Sequence, residues 1–236
     1  MTFSKLAWET TQPIIEEICQ HPFITELISG KLEQDRFAFY LQQDWMYLND
    51  FAQALASSSL LAPSSREASH LIKFSHEVNL VEQELHLTYF RAYNIQKKAV
   101  LSPACFNYTN YLRATVARGN YPKALAALLP CFWVYQYVGQ HIFSVSVPNN
   151  PYSDWISTYS CKEFADSVNL MIKMSDQAMV GKNSKELEEA VQIFMISTYF
   201  ELQFWEDAYQ KFLLHFKTNK PSTSKNPGKM KREHLA

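Results

Sequence analysis

Five glycines occur in the 236 residues of this chain, and that scarcity limits its architecture more than any other feature. Hairpins and tight sheet turns use glycine for backbone angles that other residues avoid, whereas helices joined by short connections need few. The expected class is therefore all-α, a single-domain helical bundle with short loops. The length suits a substantial core, and no internal repeat or domain linker is visible.

The apolar spacing predicts a helix from Ser4 to Cys19, bent at Pro13, then a shorter segment, HPFITELISG, closed by Gly30. From Asp35 to Ser59 the stripe Phe37, Leu41, Leu48, Phe51 and Leu55 reads as a long amphipathic helix. Ser64 and Glu67 have capping-box spacing and open a third long helix that runs toward Asn94. Ser102 followed by Pro103 starts another, which places Cys105, Tyr108, Leu112 and Thr115 on one side and ends near Gly119. The apolar stretch ALAALLPCFWVYQYVG belongs to a core helix reaching about Ser146, with a break expected at Pro130, just before Cys131. After the loop VPNNP come a short helix carrying Trp155 and Tyr159 and a further helix from Cys161 to Val180. Asn183 and Glu186 form a second capping-box pair, opening a last helix with the stripe Leu187, Val191, Phe194, Thr198, Glu201, Trp205, Ala208 and Phe212. The helical domain is expected over 1–216, and the polar, basic segment 217–236 is expected to be disordered.

Two acids fall where these stripes demand apolar residues, and a thiol lies in the most apolar helix. Asp44 lies on the buried face of its helix, and burying an unpaired carboxylate costs several kcal/mol, so it needs a hydrogen-bond partner or a polar cavity. Tyr40 and Tyr47, at i−4 and i+3, are the neighbours able to satisfy it. Glu201 breaks the last stripe in the same way. Cys131 sits in the most apolar helix, with Tyr135 one turn on. A buried free cysteine is ordinarily an inert packing residue, and on its own stretch that is the simpler reading. Two inward acids, a thiol and several of the 13 tyrosines, on different helices, fit a polar pocket for a flat ligand in a bundle core.

Other classes fare worse. A net charge of −1 gives no field for nucleic acid or an anionic membrane. The first residues, MTFSKLAWETTQ, lack the apolar run of a secretory signal, so a cytoplasmic location is expected. Cys19, Cys105, Cys131 and Cys161 have neither disulfide-framework nor zinc-type spacing and read as reduced thiols. Glu82 and His86 are i,i+4 and able to share a metal, but a helical di-iron site needs histidines from several helices. Beyond His86 only His141, His215 and His234 remain, so no metal is expected and His86 reads as a hydrogen-bonded residue near the pocket.

The segments HPF, FAFYLQQDWMYL, YTNYL, ALLPCFWVYQYVG, DWISTY and ISTYFELQFWEDAY, in this order and spacing, resemble the TenA family of thiaminase II or aminopyrimidine aminohydrolase proteins, which share the haem-oxygenase-like fold. The likeness extends to about Tyr209. Carried onto this chain, it implies Cys131 and Glu201 as catalytic residues, Asp44 as the pyrimidine-binding acid, and Tyr47, Tyr108, Tyr135 and Tyr159 as further substrate-binding residues. His86 and Phe204 are implied as pocket lining. The resemblance further implies hydrolysis at the methylene of a 4-amino-2-methylpyrimidine, either an aminomethylpyrimidine or thiamin itself, with no cofactor, in a homotetramer. Relatives on the same fold include oxidases, cofactorless or di-iron, and members once viewed as regulators. The first would require inward histidines from several helices and the second a DNA-reading helix.

Overall fold

Most helices begin where a short polar side chain supplies a hydrogen bond that the first turn lacks. The computed structural model describes residues 1–95 and 100–213, without the side chains of 81–84. Thr2 caps α1 (Phe3–Gln20) and the His21 ring caps α2 (Pro22–Ile28). Then follow α3 (Gln34–Ser59), α4 (Ser65–Glu77), a π-helical turn (Val78–Glu82) and α5 (Gln83–Ala92). Ser102 caps α6 (Pro103–Ala117), as its pairing with Pro103 predicts, and Asn120 caps α7 (Tyr121–Val145). The remaining elements are α8 (Ser153–Ser160), α9 (Lys162–Ala178) and α10 (Ser184–Gln210). Among the described residues every regular element is helical.

Several expectations are corrected. The single helix expected from Ser64 to Asn94 is two, because the π-helical turn takes up an extra residue between α4 and α5. Its capping box is incomplete: Ser64 Oγ accepts from the Glu67 amide at 3.2 Å, but the Glu67 carboxylate turns to the Ser64 hydroxyl at 2.8 Å and not to its backbone. Asn183 and Glu186 form the full reciprocal box. Pro130 does not break α7, which stays helical on both sides of it. Its missing N–H leaves one backbone bond unmade, and burial on every side of the helix holds the turn in place. Phe212 lies past the end of α10, after Lys211 has turned left-handed (φ 53°), and is exposed. The polar segment 217–236 lies outside the described residues.

Helix α7 is the axis of the bundle, packing on α10, α9, α8 and α6, and α3 crosses on to α4, α6 and α10. Around them Tyr40 stacks on Trp205 with ring centroids 5.0 Å apart and planes 14° from parallel, and Trp155 meets both rings edge-on. Each such ring pair adds about 1 kcal/mol beyond the area it buries. The start of α6 is held from two sides. The Ser102 amide donates to Gln43 Oε1 at 2.8 Å and the Ala104 amide donates to Asp207 Oδ2 at 2.7 Å, tying α6 to α3 and α10 and fixing Tyr108 between them. Among the described residues, no helix is long and apolar enough to cross a membrane.

Candidate active site

Near the middle of α7 the buried face changes character. Cys131 and Tyr135 share a cavity with Asp44 of α3 and Tyr159 of α8, closed by the apolar side chains of Phe51 and Phe132. The acid, the thiol and two of the expected tyrosines thus come from three helices onto one space. Its volume is about 20 Å³, room for a water and not for an aromatic ring, which needs a cavity of roughly 150 Å³. A larger cavity of about 380 Å³ adjoins it, and Val78, Phe132 and Phe164 belong to the walls of both. A heterocycle enters the inner space only when these side chains move.

The other expected residues surround the inner cavity without lining it. Tyr108 donates to Glu201 Oε1 at 2.8 Å, and its ring packs against Tyr47 with centroids 4.9 Å apart. Phe204 meets Tyr47 edge-on at 5.7 Å. His86, 1% exposed, places Nε2 3.0 Å from Asp44 Oδ2. Asp44 therefore pairs with this histidine, whereas local spacing offers Tyr40 and Tyr47. Side chains at i−4 and i+3 lie along the same helix, whereas the carboxylate reaches across to α5.

Burial sets the protonation states. It raises the pKa of Glu201 from 4.5 to about 8, with the charge of Asp44 pushing the same way and the Tyr108 hydrogen bond pulling it back. Glu201 is mainly a neutral acid at neutral pH, able to donate a proton. Burial likewise lifts Tyr47, Tyr108 and Tyr135 well above the usual phenol range, so their hydroxyls remain donors. The Cys131 charge adds to the rise at Tyr47 and Tyr108, which ties these two phenols electrostatically to the thiol. The remaining cysteine of the core, Cys105, is pushed upward by burial and stays a thiol. Among the described residues, no group of three or more His, Cys, Asp or Glu side chains is placed to hold a metal ion. The Glu82 side chain lies outside the described residues, and His86 is turned to Asp44.

Sequence reasoning missed the residues that position this set. A Cβ on Gly139 would fall 2.7 Å from the Tyr159 Cβ and 3.0 Å from its carbonyl, so only glycine lets α8 lie this close to α7. The signal was available, since a glycine inside a helix is costly and this chain has few to spend. Gln43 and Asp207, which anchor α6, gave no signal beyond standing next to or near named residues.

The fold and the cavity define a class: an all-helical protein whose core encloses a thiol, an aspartate and phenols, with a neutral glutamic acid close by. A family model for TENA/THI-4/PQQC proteins matches residues 8–211, and the chain belongs to that family. It is 31% identical over 222 residues to an aminopyrimidine aminohydrolase of Halalkalibacterium halodurans, an alignment covering 92% of this chain and 99% of the relative. A solved TenA homologue from P. horikoshii OT3 superposes with a TM-score of 0.81 at 27% identity, over 89% of this chain and 99% of the other. A Shewanella denitrificans domain described as having a haem oxygenase-like fold superposes with a TM-score of 0.71 at 19% identity, covering 89% and 93% of the two chains, and shares that fold.

Proposed function

We propose that the chain is an aminopyrimidine aminohydrolase of the thiaminase II type, forming hydroxymethylpyrimidine for thiamin salvage. Water replaces the amine on the methylene of a 4-amino-2-methylpyrimidine, or the thiazolium when thiamin is the substrate. The observation that carries this reading is the shared cavity of Cys131, Asp44, Tyr135 and Tyr159 beside an acid, Glu201, kept neutral by burial. The likeness to the H. halodurans aminohydrolase over nearly the whole of both chains supports it.

In this reading Asp44, oriented by His86, accepts from the exocyclic amino group and sets the ring in place, while Tyr135 and Tyr159 flank it. The Cys131 thiolate forms a C–S bond to an electron-poor ring carbon as Glu201 transfers its proton to a ring nitrogen. The electron pair gathered in the ring then expels the leaving group from the methylene, which departs with the bonding pair. Water adds its oxygen to the methylene, and its released proton goes to the departed amine. Breaking the C–S bond restores the thiolate, and the ring nitrogen returns its proton to Glu201. Tyr108, donating to Glu201 Oε1, holds the carboxyl so that its other oxygen carries the mobile proton. Tyr47 and Phe204 back this pair from α3 and α10.

The chain is further read as a cytoplasmic homotetramer. Four cysteines that form no disulfide suit a reducing compartment, and exposed Phe106, Phe143 and Val145 offer apolar surface for contacts between subunits. Incubating the purified protein with 4-amino-5-aminomethyl-2-methylpyrimidine in ¹⁸O-water tests the reaction. Hydroxymethylpyrimidine carrying one heavy oxygen is expected, and recovery of unchanged substrate would dismiss the assignment.

A further inference from the structure

Helix α6 begins with a cap of its own, since the Cys105 amide donates to Ser102 Oγ at 3.1 Å and Pro103 occupies the first helical position. It needs no side chain from another helix in order to start. Two reach it all the same. Gln43 of α3, 1% exposed, accepts from the Ser102 amide through Oε1 and donates through Nε2 to the Val100 carbonyl at 3.0 Å, so its carboxamide grips the chain on both sides of Leu101. Asp207 of α10, half-buried, accepts from the Ala104 amide at 2.7 Å, and the Ser102 hydroxyl bonds to it as well. Placing an amide and a carboxylate here costs more than apolar contact would. What they add is attachment of α6 to the two helices that carry Asp44 and Glu201.

The attachments bracket the acid. Asp207 holds Ala104, and one turn further along α6 Tyr108 donates to Glu201 at 2.8 Å, six residues back along α10. Six residues span about 9 Å of helix, so α6 and α10 are pinned to each other at two separated points, and Gln43 fixes α6 from the side of α3. We infer that Gln43 and Asp207 are positioning residues for the proton transfer, holding α6 in register so that the Tyr108 hydroxyl stays on Glu201 and leaves its other oxygen toward the ring. The inference deepens the proposed reaction and rests on it. A slip of about 1 Å along α6 takes Tyr108 out of hydrogen-bond range. The groups that act on Glu201 are Asp44 and Tyr47 of α3, Tyr108 of α6 and Tyr135 of α7, and of these only Tyr108 moves with α6. Its hydrogen bond lowers the proton affinity of Glu201, so its release raises that affinity and carries the alkaline limit of turnover to higher pH, while the proton is less well aimed.

Steady-state rates on 4-amino-5-aminomethyl-2-methylpyrimidine across pH test this. Asp207→Ala is expected to lower kcat roughly tenfold with KM within about twofold, because Asp44 still binds the ring. Its alkaline limb is expected at higher pH, as in Tyr108→Phe, and the two changes combined should do no more than Tyr108→Phe alone. Asp207→Asn, which keeps an oxygen for the Ala104 amide, is expected to stay within about threefold of the wild-type rate. Gln43→Met, similar in size and without the hydrogen bonds, frees α6 on its other side and is expected to move the limb the same way, which serves if Asp207→Ala folds poorly. A lowered Tm with the limb in place, or effects that add to those of Tyr108→Phe, would overturn the inference. A ¹³C-NMR titration of the Glu201 carboxyl, identified by its loss in Glu201→Gln, follows the same proton without turnover. A wild type that hydrolyses nothing would therefore sink the reaction alone, and a Glu201 titration unmoved in Asp207→Ala would sink the positioning role.

Discussion

A carboxyl group buried beside a phenol behaves as an acid of a different strength, and Glu201 is the residue on which that matters most. Its pKa, raised by burial from 4.5 to about 8, leaves it holding a proton in the folded state that the unfolded chain releases. Between those two values folded protein binds more protons than unfolded, so this group lowers stability as pH rises through the window. For catalysis the same proton is the one delivered to the ring. Turnover is therefore expected to fall as pH climbs through about 8. Glu201→Gln should lose activity on the order of 100-fold; its residual rate should be flatter than that of the wild type as pH climbs through about 8, and its unfolding midpoint flatter between 4.5 and about 8. Rate and denaturation profiles of the two proteins check this, and a wild-type alkaline limb retained in the variant would assign the proton elsewhere. Asp44 is likewise a buried acid, with a histidine at 3.0 Å, and that pairing is what makes its burial tolerable.

Among the helices, the contact between α7 and α8 controls how Tyr159 meets the thiol. Gly139→Ala would set a methyl group 2.7 Å from the Tyr159 Cβ and against its backbone, and neither atom is the end of a flexible side chain. Helix α8 must then shift. The expected cost is about 1 to 3 kcal/mol, seen as a lower Tm, together with a raised KM for the pyrimidine as Tyr159 leaves its place. Unchanged Tm and KM would show that α8 does not hold the ring. Most of these helices were legible in the sequence because caps and apolar stripes are local signals: Ser102 with Pro103, and Asn183 with Glu186, start α6 and α10 where their spacing says. The π-helical turn at Val78–Glu82 was not legible. Apolar residues at Val78, Val81 and Leu85 read as one continuous helical stripe, and a single inserted residue leaves no local signal in such a pattern. Pro130 failed as a breaker for a related reason, since tertiary packing along α7 outweighs one missing hydrogen bond.

Across the whole molecule, the bundle brings together residues more than 150 positions apart in sequence, Asp44 from α3 and Glu201 from α10, around a thiol carried by α7. The sequence marked the two acids because each is polar at a position its stripe would fill with an apolar residue, and it marked Cys131 through the family resemblance. It could not mark their mutual placement. The Asp44 partner is on α5, the Glu201 partner is on α6, and the clamp that sets α6 is made by Gln43 and Asp207, all of them contacts that only the folded chain makes. Nor did it show that the thiol's cavity is only about 20 Å³ while a larger chamber sharing Phe132 and Phe164 lies next to it. The central claim is that the sulfur of Cys131 performs the reaction while the surrounding groups bind the ring. The most direct measurement compares kcat/KM for 4-amino-5-aminomethyl-2-methylpyrimidine in wild type and Cys131→Ser, with ligand affinity measured alongside. The account predicts a loss on the order of 1,000-fold or more in turnover with affinity nearly unchanged; a variant that hydrolyses the substrate at the wild-type rate would contradict it.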